Sequence, residues 1–178
     1  IATAGCNLHC QFCQNWEISQ ANPEDVFSFD AAPEEIAKRA KAMGAASVAH
    51  TYVEPTVFFE YMLDVGAAAR REGLLNVIHS NGYINPGPLR ELCSGLDAAN
   101  IDLKGFTKSF YAELCSGDLE PVLQTLKILK ECKVHLEITN LVIPTRNDDL
   151  RVIREMCDWI RKELGAETPL HLSRFYPL

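Results

Sequence analysis

Cysteines stand at positions 6, 10 and 13 within TAGCNLHCQFCQNW, the stretch from Thr3 to Trp16, and this CxxxCxxC spacing constrains the chemistry of the chain more than any other feature. Only 7 cysteines occur in 178 residues, so a run of three within one short loop is not what composition alone supplies. Thiolates hold iron-sulfur clusters, and three of them on such a loop can wrap one corner of a cuboidal cluster while leaving the fourth iron without a protein ligand. An open metal position is what a substrate or cofactor needs, whereas a structural zinc is closed by four ligands. Two other readings compete. A zinc site wants a fourth ligand, and His9 could supply it only by turning back over the loop that carries Cys10. A disulfide pair with one free thiol suits a secreted chain, but no secretory h-region is visible and the remaining cysteines fall on apolar helical faces.

The run CNLHCQFCQN resembles the signature of the radical SAM superfamily, in which an aromatic residue, here Phe12, precedes the third cysteine. Its continuation into Gln14 and Asn15 is similar to the branch that contains the pyruvate formate-lyase activating enzymes and the AmmeMemoRadiSam-system enzymes. The resemblance implies that Cys6, Cys10 and Cys13 ligate a 4Fe-4S cluster. The open iron is then chelated by the amino and carboxylate groups of S-adenosylmethionine, with Phe12 against the adenine. It further implies reductive cleavage of that cofactor to a 5′-deoxyadenosyl radical, which takes a hydrogen atom from a substrate. An electron donor such as a flavodoxin or ferredoxin belongs to the same expectation, as does a protein target of the glycyl-radical-activase kind. The compact spacing between Trp16 and Pro33, with no further cysteines, favours the AmmeMemoRadiSam-like type over activators with an inserted ferredoxin module.

Bulk properties set outer bounds. A chain of 178 residues with 47% hydrophobic composition can bury one core, so residues 1–178 are expected to form one domain. The net charge is −7 and no basic run interleaved with aromatics occurs, which argues against a nucleic-acid partner. The most apolar segment, Val57 to Ala69, is broken by Glu60 and Asp64, so no membrane span is expected and the chain reads as soluble. Cysteine usage without a targeting segment points to a reducing, cytoplasmic compartment. The chain opens without an initiator Met, directly on the strand leading into the cysteine loop, and is expected to be a fragment of a longer protein.

Strand-length apolar runs alternate with segments of helical period, the pattern of βαβ units and a parallel sheet in the α/β class. Six strands are expected, near Ile1 to Ala4, Ser47 to Tyr52, Leu75 to Ser80, Ala98 to Leu103, Val134 to Leu141 and Pro169 to Arg174. Pro33 opens a helix that Gly44 ends, Thr56 caps one running to Arg71, and Pro86 opens a short one ending near Gly95. Asp118 caps Leu119 to Glu131, and Asn147 caps a last helix with Leu150, Ile153, Cys157, Ile160 and Leu164 on its apolar face. In that place Cys157 reads as a small core hydrophobe. Periodicity alone leaves a doubly wound sheet and an open β/α barrel both available. The family resemblance implies a partial (β/α)6 barrel.

Alternation along several strands puts polar residues on one face. Asn100, Asp102 and Lys104 share a side of the fourth strand, His135, Glu137 and Thr139 a side of the fifth, and His50, Tyr52 and Glu54 are read in phase on the second. A lumen so lined needs polar contents, which a zwitterionic cofactor supplies and a simple electron carrier does not. That carrier, an iron-sulfur or zinc protein for electron transfer or scaffolding, is the competing function. Active sites of parallel α/β folds lie at the carboxyl ends of the strands. There Tyr52-Val53-Glu54-Pro55 resembles the family's GGEP element, with Val53 in place of a glycine, and Asn81 of Ser80-Asn81-Gly82 resembles a cofactor donor. Asp102-Leu103-Lys104 resembles the DLK of the activating enzymes. Lys104 would then pair with the methionine carboxylate, and Asp102 would orient it or hold a monovalent cation. Thr139 joins the same set, Ile143 of Asn140-Leu141-Val142-Ile143-Pro144 is expected to cover the adenine, and His171 to Pro177 resembles an HxxRFxP ending with Tyr176 where relatives carry His.

Overall fold

The computed structural model describes residues 1–177. One sheet of five parallel strands runs in the order of the chain: β1 (Ser47–His50), β2 (Leu75–Ser80), β3 (Ala98–Asp102), β4 (His135–Val142) and β5 (Leu170–Arg174). That order decides between the two architectures left open by periodicity. Parallel crossovers are right-handed, so strands laid down in one direction place every connecting helix on the same face, as in a barrel, and a doubly wound sheet would require the order to reverse. The sheet is an open, partial barrel with a bare inner face.

The helices follow their sequence punctuation. After the short α1 (Trp16–Ser19) come α2 (Pro33–Ala42), α3 (Phe59–Arg71), α4 (Pro86–Cys93), the single turn α5 (Lys108–Phe110), α6 (Leu119–Glu131) and α7 (Leu150–Glu163). Gly44, Gly73 and Gly165 adopt positive φ just beyond α2, α3 and α7, the left-handed stop that lacks a Cβ penalty only in glycine. The buried face of α6, including Val122, Leu126 and Leu129, belongs to the same core as Ile78, Ala99, Ile101, Leu136 and Ile138 on the outer face of the sheet.

Several expectations need correction. The stretch Ile1 to Ala4 is not a strand: only Ile1 reaches the edge of β1, its carbonyl accepting from the Thr51 amide at 3.0 Å, before Gly5 turns the chain away at φ 95°. Five strands form where six were expected. β1 stops at His50, and His50 pairs in register with Ile78 on the helix-covered face, not with the lumen residues. The strand is too short for alternation to fix its phase. Thr56 is not a cap; the Glu54 carboxylate accepts from its amide and begins a 3-10 turn, Pro55–Phe58, ahead of α3. Asp149 caps α7 in place of Asn147, and although Asp118 stands at the N-cap of α6 its side chain makes no capping bond. On α7 the buried residues are Met156 and Ile160, whereas Cys157 and Leu150 are exposed. Among the described residues no helix is long and apolar enough to cross a membrane.

Candidate functional site

The cysteine loop has no regular structure of its own and is held from outside. Its Leu8 side chain is buried in the core, the Leu8 carbonyl accepts from Gln20 Nε2 at 3.2 Å, and Gly117 passes so close that a Cβ there would meet Leu8 at 2.6 Å. Main-chain bonds from His9 to Cys115 at 3.0 Å and from Gln11 to Leu114 at 2.9 Å pin the stretch on either side of Cys10. All three loop thiols are free and partly exposed, and they line one cavity of about 410 Å³ at the carboxyl ends of the strands. Cys6 Sγ accepts from the Leu8 amide and from Asn81 Nδ2, each at 3.5 Å, and Cys13 Sγ lies 3.4 Å from Ser19 Oγ. Burial pushes the Cys6 thiol up. Cys10 is brought down to about 7 by the Cys115 thiol and, against the cost of burial, by the Lys104 ammonium.

The same cavity is lined by a partly buried charged group. Lys104 Nζ donates to Asp102 Oδ2 at 2.8 Å and His79 Nε2 to Asp102 Oδ1 at 3.0 Å, while the Lys104 amide donates to Tyr111 Oη at 3.1 Å. Burial alone would raise the Asp102 carboxyl, yet the adjacent ammonium and the His79 hydrogen bond outweigh it and hold the group ionised. Burial would likewise discharge Lys104, but Asp102 keeps it a cation. His79 is raised by its bond to Asp102. The Lys104 ammonium and the His79 imidazole thus share one carboxylate at the cavity wall.

Glu54 is 1% exposed, and its carboxylate accepts from Ser80 Oγ at 2.8 Å, the Asn81 amide at 2.8 Å and the Thr56 amide at 3.1 Å. It ties the turn after β1 to the turn after β2. The position that departs from the left-handed rule is Tyr52, at φ 74°, and not the neighbouring Val53; the Tyr52 carbonyl is held by Asn15 Nδ2 at 2.6 Å. A side chain in that conformation costs on the order of 1–3 kcal/mol, which the surrounding contacts must offset. Gly82 is required for two reasons, a φ of +72° and a Cβ that would lie 2.8 Å from Ile101.

The structure brings most of the expected residues together. Phe12, Glu54, Asn81, Asp102, Lys104 and Thr139 all line the same cavity as Cys6, Cys10 and Cys13. Phe12 packs against Phe110, ring centroids 5.9 Å apart. Ile143 does not belong to this wall: it is buried in the core, its amide donating to Asn147 Oδ1 at 2.6 Å, and Leu141 lines the cavity in its place. Leu141 continues the lumen phase of Thr139 and pairs with Ser173, whereas β4 ends at Val142 and Ile143 has already left the strand. Tyr176 is exposed, its ring 5.2 Å beneath the Arg174 guanidinium. His9 is exposed and lines no part of the cavity. His79 lines the cavity as well, and its alternation with Asn81 is the signal that marks it in the sequence.

Further down the lumen, Glu137 accepts from His171 at 2.7 Å and His135 at 3.1 Å, and Thr139 Oγ1 donates to Asn100 at 2.9 Å. Among the described residues no three His, Cys, Asp or Glu side chains converge as ligands of one ion. Thiolates on a cuboidal cluster bind separate irons and need no common point. The donor chemistry of three free thiols at one cavity wall therefore fits a cluster better than a single zinc.

A family model of the radical SAM superfamily matches residues 1–157, and the chain belongs to that superfamily. An uncharacterized protein of Methanocaldococcus jannaschii is 44% identical over 177 residues, 99% of this chain and 52% of that protein. The pyruvate formate-lyase-activating enzyme of Listeria monocytogenes is 23% identical over 171 residues, 88% of this chain and 66% of the enzyme. The chain thus spans half to two thirds of the length of these relatives. Among solved structures, Streptococcus suis SuiB bound to S-adenosylmethionine superposes with a TM-score of 0.78 at 16% identity, over 99% of this chain and 40% of that one. The structure of anSMEcpe with bound AdoMet and Kp18Cys peptide superposes with a TM-score of 0.76 at 18% identity, over 99% and 50% of the two chains. Both have the same partial-barrel fold.

Proposed function

We propose that this chain is the catalytic core of a radical SAM enzyme that holds a 4Fe-4S cluster on Cys6, Cys10 and Cys13 and S-adenosylmethionine in the cavity beside it. The observation that carries the reading is the meeting, around one cavity of about 410 Å³, of three free thiols with a partly buried Lys104–Asp102 pair. A volume in the range of small-molecule sites, roughly 300–1,000 Å³, suits a nucleoside-sized cofactor and is superfluous for an electron carrier. When bound, the cluster and its cofactor supply one-electron reductive cleavage of a sulfonium and removal of a hydrogen atom from a substrate.

The protein's own part is to bind, orient and exclude water. Lys104, kept charged by Asp102, is the partner for the cofactor carboxylate through a charge-assisted hydrogen bond. Asp102 sets the direction of that ammonium, with the monovalent-cation role as its alternative use. Glu54 fixes the two turns whose main chain faces the cofactor amino group, and Asn81, already bonded to Cys6 Sγ and at 2.8 Å to Asn7 Oδ1, joins the cofactor wall to the cysteine loop. Phe12 and Leu141 give the adenine apolar faces, and Thr139 gives the lumen a hydroxyl.

For the substrate, the similarity to a pyruvate formate-lyase-activating enzyme supports hydrogen abstraction from a protein target; a flavodoxin or ferredoxin as electron donor and a cytoplasmic setting are part of the same proposal. The test is anaerobic reconstitution with iron and sulfide, followed by dithionite and S-adenosylmethionine. Release of 5′-deoxyadenosine is expected. A reconstituted protein that binds the cofactor and releases none would overturn the reading.

A further inference from the structure

Below the cavity the inner face of the sheet carries a second group of titratable side chains, which the function proposed above does not use. Asp102, Thr139 and Ser173 line the cavity, whereas the residues one pleat further down the same face, Asn100, Glu137 and His171, do not. The Glu137 carboxylate accepts from His171 Nε2 at 2.7 Å and, through its other oxygen, from His135 Nε2 at 3.1 Å. Register places His171 beside Thr139 and Asn100 beside Glu137, and Thr139 Oγ1 donates to Asn100 Oδ1, so the group continues the cavity wall without a break. Its side chains are 36% exposed at Glu137, 52% at His171 and 65% at His135. Pairs so open to solvent contribute little to stability, and this group ties down no loop or helix among the described residues. A barrel interior that served the fold alone would be filled by branched apolar side chains.

We propose that Glu137, held between His135 and His171, is the substrate-binding group of the lumen, and that it takes an ammonium or guanidinium group carried by the molecule from which hydrogen is removed. The inference rests on the function proposed above and deepens it by naming the chemistry of the substrate. The hydrogen bonds from His135 and His171 hold the Glu137 carboxyl below the usual carboxylate range. With both rings neutral the group has one negative charge, and because each ring spends its Nε2–H on the carboxylate, each Nδ1 is an acceptor. No inward-facing strand residue is Lys or Arg, and Lys104 is taken by Asp102. A negatively charged patch of acceptors selects a cation rich in N–H donors and repels a carboxylate or phosphate. A metal ion suits it less, since both rings turn Nε2 to the carboxylate and the three side chains do not converge as ligands of one ion. On a protein target the cation is a lysine or arginine side chain; on a small molecule it is an amine.

The experiment is anaerobic titration calorimetry on the reconstituted chain loaded with S-adenosylmethionine. The probes are the N-acetyl methylamides of lysine, arginine, norleucine and glutamate, with n-butylammonium as the arm that carries the charge without a peptide backbone. Wild type, E137Q and E137D are compared, and far-UV circular dichroism is recorded for each. In the wild type the lysine or the arginine derivative is expected to bind roughly tenfold more tightly than norleucine, the worth of a charge-assisted hydrogen bond, with glutamate the weakest. E137Q should abolish the preference and E137D should keep it. Binding of n-butylammonium as tight as that of the lysine derivative assigns the cation to a small amine; weaker binding assigns it to a protein side chain. Equal affinity of the wild type for lysine, arginine and norleucine would overturn the inference, as would a preference that survives in E137Q. If E137Q does not fold, the ring-proton shifts of His135 and His171 in the wild type decide: they should move with the cationic derivatives and stay with norleucine, and unmoved shifts overturn the role of Glu137. A wild type that builds no cluster or binds no S-adenosylmethionine fails the function proposed above; one that does both and shows no preference for the cations fails this inference alone.

Discussion

Lys104 shows how one side chain can be prepared for a ligand before the ligand arrives. A buried ammonium ordinarily loses its proton, because desolvation penalises the charged form, but Asp102 at 2.8 Å reverses that balance. The pair is not a surface ion pair of little worth, since the Lys104 side chain is only 16% exposed. Removing the ammonium leaves Asp102 with His79 alone and takes away the charge that a carboxylate in the cavity would meet. A charge-assisted hydrogen bond contributes about 1.5–3 kcal/mol, so K104A should weaken S-adenosylmethionine binding roughly tenfold to a hundredfold. Iron content should stay at the wild-type level. Isothermal titration of the reconstituted protein is the check, and unchanged affinity would remove Lys104 from the binding site.

At the scale of elements, the loops after the strands are joined by two buried polar side chains. Glu54 links the turns after β1 and β2. Asn147 performs the same service on the other half of the sheet: its Nδ2 donates to the carbonyls of Lys104 and Leu141, each at 2.9 Å, and its Oδ1 accepts from Ile143. Each satisfied pair is worth about 1 kcal/mol, and each orphaned partner in a buried site costs more than that. N147A should therefore destabilise the chain by about 2–4 kcal/mol in urea unfolding of the metal-free protein. A change below about 0.5 kcal/mol would mean that water replaces the amide at no cost.

For the molecule as a whole, His50 links the fold to pH. It lies between the sheet and α3, buried with no partner for Nε2, and burial holds its pKa at about 4. An unfolded histidine titrates near ~6.5, so between these values the unfolded chain binds the extra proton and the folded chain does not. Stability therefore falls as pH is lowered through that window, by about 1.4 kcal/mol per pH unit at most. Between about pH 7 and about pH 5 the His50 contribution amounts to about 2 kcal/mol, and H50L should be less acid-sensitive than the wild type by that amount. Parallel urea midpoints for the two proteins across the range would exclude His50 as the source.

The amino-acid sequence alone determined the features that depend on neighbours along the chain. The cysteine spacing announced a loop whose three thiols meet at one cavity; glycine stops ended α2, α3 and α7; and alternation in β3 and β4 was long enough to declare a polar inner face, which the register of Asn100 with Glu137 and Asp102 with Thr139 bears out. What the tertiary structure decided depends on register and on where loops turn back. Four residues of β1 were too few to fix its phase, so His50 faced the core; Ile143 left the cavity to Leu141 because β4 ends at Val142 and the chain turns there. Asn147 draws its meaning in part from Lys104, 43 positions away, a distance over which no local pattern carries information.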